Sequence, residues 1–186
     1  MGAKRVGTFF VGWLVSMIGL LSWPAAASYG ADWSQLKGAL DSISGVEKQS
    51  IDDIERTYRG ARVGMQPGQE AQTDQKAWAQ IVKLLDDRIG QMEALNVPTD
   101  LSQQKRDRIE AAKIRKESFE ARLKGDMQGA LRLERKMKEA QVKAFTDLKQ
   151  MAQQHGAPPG EIVQIDQSLT YYKGVLHPAG QRAQKK

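Results

Sequence analysis

The sequence predicts an all-α protein, a bundle of four to five amphipathic helices with a helical hairpin, preceded by a signal peptide. Three observations carry this expectation. Apolar residues recur every three to four positions along most of the chain after residue 32, the spacing that gathers them on one face of a helix. Aromatic residues make up only 6% of the chain, which argues against a β-sandwich, while the helix formers Ala, Gln, Lys, Glu, Leu and Arg dominate. Cysteine is absent, so disulfides, thiolate metal sites and a cysteine nucleophile are excluded, and the fold holds by packing alone.

At the amino terminus Lys4 and Arg5 precede an uncharged apolar run over residues 6–23, followed by Pro24, Ala25, Ala26 and Ala27. A short positive region, an apolar region and a small-residue A-x-A site form the pattern of a secretory signal peptide cut after Ala27. Residues 1–27 are therefore assigned to targeting, and the expected location is the periplasm or an equivalent extracytoplasmic space. The alternative is an uncleaved anchor in the inner membrane through residues 6–23, because the run approaches the ~20 residues that span a bilayer. About 159 residues remain after Ala27, enough for one domain with a modest core. Residues 28–176 are read as that domain, and 177–186 as a basic, disordered tail. Without Lys4 and Arg5 the formal charge of +6 falls to about +4, which says little about partners.

The first helix begins at Trp33, with Leu36, Leu40, Ile43, Ile51, Ile54 and Tyr58 on its apolar face and Val46 bridging a phase shift. Asp32 is placed to cap it and Gly60 to end it. Residues 61–73, with Gly64, Pro67 and Gly68, show no period and are expected to form a loop. Thr73 or Asp74 is expected to cap a second helix whose stripe is Trp78, Ile81, Val82, Leu85, Ile89, Met92 and Leu95. Asn96, Val97 and Pro98 end it. Thr99 and Asp100 offer caps for a third helix running to about Lys124, and Gly125-Asp126 supplies a stop and a fresh cap. The fourth helix is predicted over 127–154, with Leu131, Met137, Ala140, Ala144, Leu148 and Met151 on one side. His155, Gly156, Pro158 and Pro159 close it, and a last helix is expected from about Glu161 to Leu176.

Segment 121–138, with Gly125-Asp126 at the turn and Ala130-Leu131 beyond it, resembles a tetratricopeptide hairpin, and the resemblance implies hairpin geometry only. Glu134 and Met137 stand where that family has an aromatic residue and an alanine, and no second copy follows at a period near 34 residues. The exported Spy/CpxP-like chaperones carry a Leu-Thr-x-x-Gln motif. Here Leu101-Ser102-Gln103-Gln104-Lys105 and Leu169-Thr170-Tyr171-Tyr172-Lys173 each end in lysine instead, so no kinship follows.

The strongest local anomaly is charge. Residues 105–143 contain thirteen bases against seven acids. One explanation is a solvated face with ion pairs such as Glu110 with Lys113 and Glu120 with Lys124. The other is a contact surface for a protein partner in the cell envelope, with candidate residues Arg108, Arg115, Lys116, Phe119, Arg122, Arg132, Arg135 and Lys136. Phe119 and Ile114 sit five apart, so one narrow stripe does not gather both, and one of them is expected outside the core. On this view, reversing Arg115, Lys116 and Arg122 to Glu leaves helicity intact and abolishes capture. An anionic membrane surface or a second copy of the chain are further partners such a face would suit. Nucleic acid is not expected, because stacking aromatics are missing apart from Phe119.

No catalytic set is visible. His155 and His177 share no helix face, and Met92, Met127, Met137 and Met151 fall within or beside apolar stripes. Asp52-Asp53 and Asp86-Asp87 are adjacent on helices, diverge by about 100° and are expected to be surface charge. Serine has no neighbouring His or Gly-rich elbow, and no phosphate loop or dinucleotide fingerprint is present. The expectation is an exported, non-catalytic accessory, chaperone or adaptor protein that needs no cofactor. The alternatives are a structural subunit of an envelope or secretion assembly and, from another class, a metal-handling protein.

Overall fold

The computed structural model describes residues 32–66 and 68–176, with side chains through Gly174. These residues form five α-helices: α1 (Trp33–Arg62), α2 (Glu70–Ala94), α3 (Ser102–Leu123), α4 (Met127–Gln154) and α5 (Pro159–Leu176), with a 3-10 turn over Thr99–Leu101. Among the described residues there is no strand. Each helix packs on the next in sequence, and the α3–α4 contact is the most extensive. The assigned targeting segment 1–27 and the tail 177–186, including His177, lie outside the described residues.

The apolar stripes set where the core sits. Trp33, Leu36 and Leu40 at the start of α1 pack with Leu101, with Leu148, Met151 and Ala152 of α4, and with Ile165 of α5. At 1.5 Å per residue the 30-residue α1 is about 45 Å long, so its far half reaches a second cluster. There Ile54 and Tyr58 meet Ile81 and Leu85 of α2 and Phe119 of α3. A third cluster joins Ala111 and Ile114 of α3 to Met137 of α4. The first turn of α1 is pinned by the Trp33 backbone N–H donating to the His155 carbonyl at 3.2 Å and by Trp33 Nε1 donating to Glu161 at 2.5 Å.

Helix ends follow local chemistry, with three departures from expectation. The Asp32 carboxylate accepts from the Gln35 amide at 3.0 Å, as predicted, and from the Ser34 hydroxyl at 2.5 Å; the Ser34 hydroxyl first and the Gln35 amide second hold its pKa below the usual carboxylate value. The helix runs through Gly60 to Arg62, and the left-handed glycine is Gly64 at φ 74°, because a helical glycine costs only about 0.5–1 kcal/mol when flanking turns are held elsewhere. Arg62, in the last turn, reaches Asp74 of α2 at 3.9 Å. α2 starts at Glu70, earlier than Thr73, with no side-chain cap on Gln69. α3 likewise starts without a side-chain cap, because Thr99–Leu101 forms a 3-10 turn in front of it. Gly125 at φ 80° and the Asp126 carboxylate, which accepts from the Gly129 amide at 2.7 Å, make Gly125-Asp126 a hairpin turn.

α3 differs from the other helices because half of the residues it buries are polar: Gln104, Arg108 and Ser118 beside Ala111, Ile114 and Phe119. Arg108 is 5% exposed, donates to Glu47 of α1 and lies 4.3 Å from the Phe145 ring of α4. Gln104 Nε2 donates to the Ala144 carbonyl of α4 at 3.1 Å. Arg88 of α2 donates to Asp53 of α1 at 2.6 Å in a largely buried pair. Asp53 is thus an inter-helix tie and not the surface charge its sequence context suggests.

Two outcomes test this packing. Leu36→Ala removes a side chain with no exposure and is expected to cost about 2–5 kcal/mol, whereas Leu131→Ala, at an exposed position, is expected to stay within about 0.5 kcal/mol of the parent. Urea denaturation followed by circular dichroism measures both. Glu47→Ala strands the buried Arg108 guanidinium and is expected to destabilise by about 3–5 kcal/mol. Pairing Glu47→Leu with Arg108→Met recovers most of that loss, and a double variant as unstable as the single one would disprove the ion-pair account.

Candidate partner-binding surface

The eight residues singled out from sequence do not form one surface. Arg108 and Phe119 are buried, and Ile114 is buried too, so neither of the two apolar residues lies outside the core, as one of them was expected to. Phe119 packs beside Tyr58, with ring centroids 6.2 Å apart. Arg122 is mostly covered: it pairs with Glu134 of α4 and stands 5.9 Å from each of the Trp78 and Phe119 rings. Reversing Arg122 would therefore disturb packing as well as any contact. Lys116 reaches back to α2, where Asp86 lies 2.7 Å away, and also approaches Glu120 at 3.5 Å. Its hydrogen bond to Asp86, opposed by desolvation, raises its pKa. Arg115 turns toward α4, donating from Nε to Met137 Sδ at 3.1 Å.

Arg132, Arg135 and Lys136 remain, all exposed on α4. Arg135 pairs with Glu139 at 3.4 Å, both ends well exposed. Arg132 and Lys136 form no ion pair among the described residues. The helical repeat explains why. Arg132 and Lys136 are four apart and therefore neighbours of like charge, while Gln128 and Ala140 occupy the next positions along that row. Glu139, three residues beyond Lys136, is held by Arg135.

Beside this row runs a second one: Met127, Leu131, Arg135 and Glu139, each four residues after the last. Met127 is 43% exposed and Leu131 52% exposed. Sequence reasoning placed Leu131 with the buried stripe of α4, and the structure corrects that. The signal was present in the spacing, because Leu131 precedes Met137 by six residues, or about 240° round the helix. The outer face of the N-terminal half of α4 thus combines two exposed apolar side chains with three cations over about 14 Å.

The expected local pairs are also replaced. Lys113 meets Glu93 of α2 at 3.0 Å instead of Glu110, and Glu120 meets Lys116 instead of Lys124. Among the described residues no three His, Cys, Asp or Glu side chains converge in a metal-holding group, which leaves the metal-handling alternative without a ligand set there. No described helix is long and apolar enough to cross a membrane. No known family model, curated protein or solved structure matches this chain.

Proposed function

We propose that this is an exported, non-catalytic accessory, chaperone or adaptor protein of the cell envelope that binds an acidic segment of a partner protein on the outer face of α4. The observation that carries the proposal is the exposure of Met127 and Leu131 beside Arg132, Arg135 and Lys136. Exposed apolar side chains supply affinity when a partner covers them, and a rim of one charge sign selects the partner and speeds encounter. The apolar run and small-residue site ahead of residue 28 support export.

A second copy of the chain fits this face less well. In a twofold interface the patch would meet itself, setting Arg132, Arg135 and Lys136 against the same cations. An acidic partner relieves the repulsion between Arg132 and Lys136 instead of doubling it.

A photo-crosslinking residue at position 131 in cells producing the full chain tests this, with position 80 on α2 as control. The expected result is a discrete protein adduct from 131, absent from 80, that is lost when Arg132, Arg135 and Lys136 are all changed to Glu while the circular dichroism spectrum is unchanged. An adduct indifferent to that reversal, or lipid adducts only, would overturn the proposal. An adduct of twice the chain mass would favour the assembly subunit over the adaptor.

A further inference from the structure

We infer that the groove between α1, α3, α4 and α5 binds a small carboxylate whose apolar body carries a hydrogen-bond donor, such as a 2-hydroxy or 2-acylamino acid. The groove holds about 350 Å³, at the small end of the roughly 300–1,000 Å³ usual for small-molecule sites. Ile54, Phe119 and Met137 supply apolar lining, and Tyr172 lines it too, stacked on Phe145 with ring centroids 5.4 Å apart. Burial and the Glu47 charge push the Tyr172 phenol up, against the opposing pull of the nearby Arg115 and Arg108 charges.

The charges around the groove give the ligand its sign. Four charged side chains line it: Glu55, Glu134, Arg115 and Lys138. Both acids are already engaged, Glu55 by Arg59 at 3.0 Å and Glu134 by Arg122. Both cations lack a carboxylate partner among the described residues, and only Nε of Arg115 is occupied, by the Met137 sulfur. Two unpaired cations beside an apolar lining suit an anion with an apolar body, and a guanidinium fork matches the two oxygens of a carboxylate.

The donor requirement comes from Gln141. It lines the same groove, is 1% exposed, and its Oε1 has no hydrogen-bond partner among the described residues. A buried acceptor left without a donor is costly. Gln141 also borders a small enclosed pocket with Arg108 and Ala111; a turn of its amide would present Oε1 to the groove, where a hydroxyl or amide N–H near the ligand's carboxylate would satisfy it. None of Arg132, Arg135 and Lys136 lines this groove, so the inference does not depend on the partner contact proposed for the outer face of α4.

Calorimetric titration of the full chain with 3-phenyllactate and 2-hydroxyoctanoate, and with 3-phenyllactamide as the neutral counterpart, tests the inference. Saturable one-to-one binding of at least one acid is expected, with the amide at least tenfold weaker than 3-phenyllactate if that acid binds. Arg115→Gln is expected to weaken acid binding at least tenfold and Lys138→Gln severalfold. If Arg115→Gln fails to fold, as judged by circular dichroism, Lys138→Gln and the acid–amide comparison decide alone. Absence of saturable binding by both acids, equal binding of acid and amide, or unchanged affinity in the folded variants would overturn it.

Discussion

The arrangement of helices depends on how α3 satisfies a polar buried face. α3 packs against both α2 and α4 and touches α1 through Arg108 and Phe119, yet it presents Gln104, Arg108 and Ser118 inward. A buried guanidinium is tolerable only when paired and hydrogen-bonded. Glu47 of α1 and the Phe145 ring of α4 meet that demand, and the Ala144 carbonyl accepts from Gln104 Nε2, leaving Oε1 of that side chain without a partner among the described residues. These bonds have direction, whereas leucine contacts tolerate sliding. They set the register of α1 and α4 on α3, and the apolar clusters at the two ends supply the driving force around them.

That same feature decided what could be read in the sequence. α1, α2 and the C-terminal half of α4 were legible because their buried faces are apolar, so period and burial coincide at Leu36, Ile81, Leu85, Ala144 and Leu148. The stop and fresh cap at Gly125-Asp126 were legible because glycine suits the left-handed backbone and Asp126 follows it as a cap, whereas a hairpin and a kink share that local signature. The span of α3 was legible too, but its buried face was not, since hydrophobic periodicity cannot register a buried Gln or Arg. Arg108 therefore read as one of many surface cations. Phe119 looked out of phase with Ile114, although both are buried, because neighbours flank α3 on more than one side. Ion pairs were misassigned for a related reason: local spacing offers Glu110 to Lys113, but α2 brings Glu93 within 3.0 Å.

The positive surplus of residues 105–143 is thus several things at once. Arg108 and Arg122 are part of the packing, and Lys116 and Lys113 tie α3 to α2. Lys105 donates to the Glu93 and Leu95 carbonyls, both at 2.7 Å, and neutralises the exposed carbonyl end of α2. A net charge counted along the sequence cannot separate cations consumed by the fold from those left over.

What is left over on α4 carries a local energetic penalty. Like charges four apart on a helix destabilise it by roughly 0.2–0.5 kcal/mol, and Arg132 and Lys136 stand in that relation, the nearby acids Glu134 and Glu139 being taken by Arg122 and Arg135. The helix withstands this because its first turn is capped by Asp126 and its inner face is packed through Ala130 and Met137. Those anchors also hold the outer face in place, so an arriving partner would need to order side chains but not backbone, which lowers the entropic cost of association. On a face kept rigid from behind, with Arg132 and Lys136 unpaired among the described residues and two apolar side chains exposed, the proposed acidic partner would gain contacts that water does not supply.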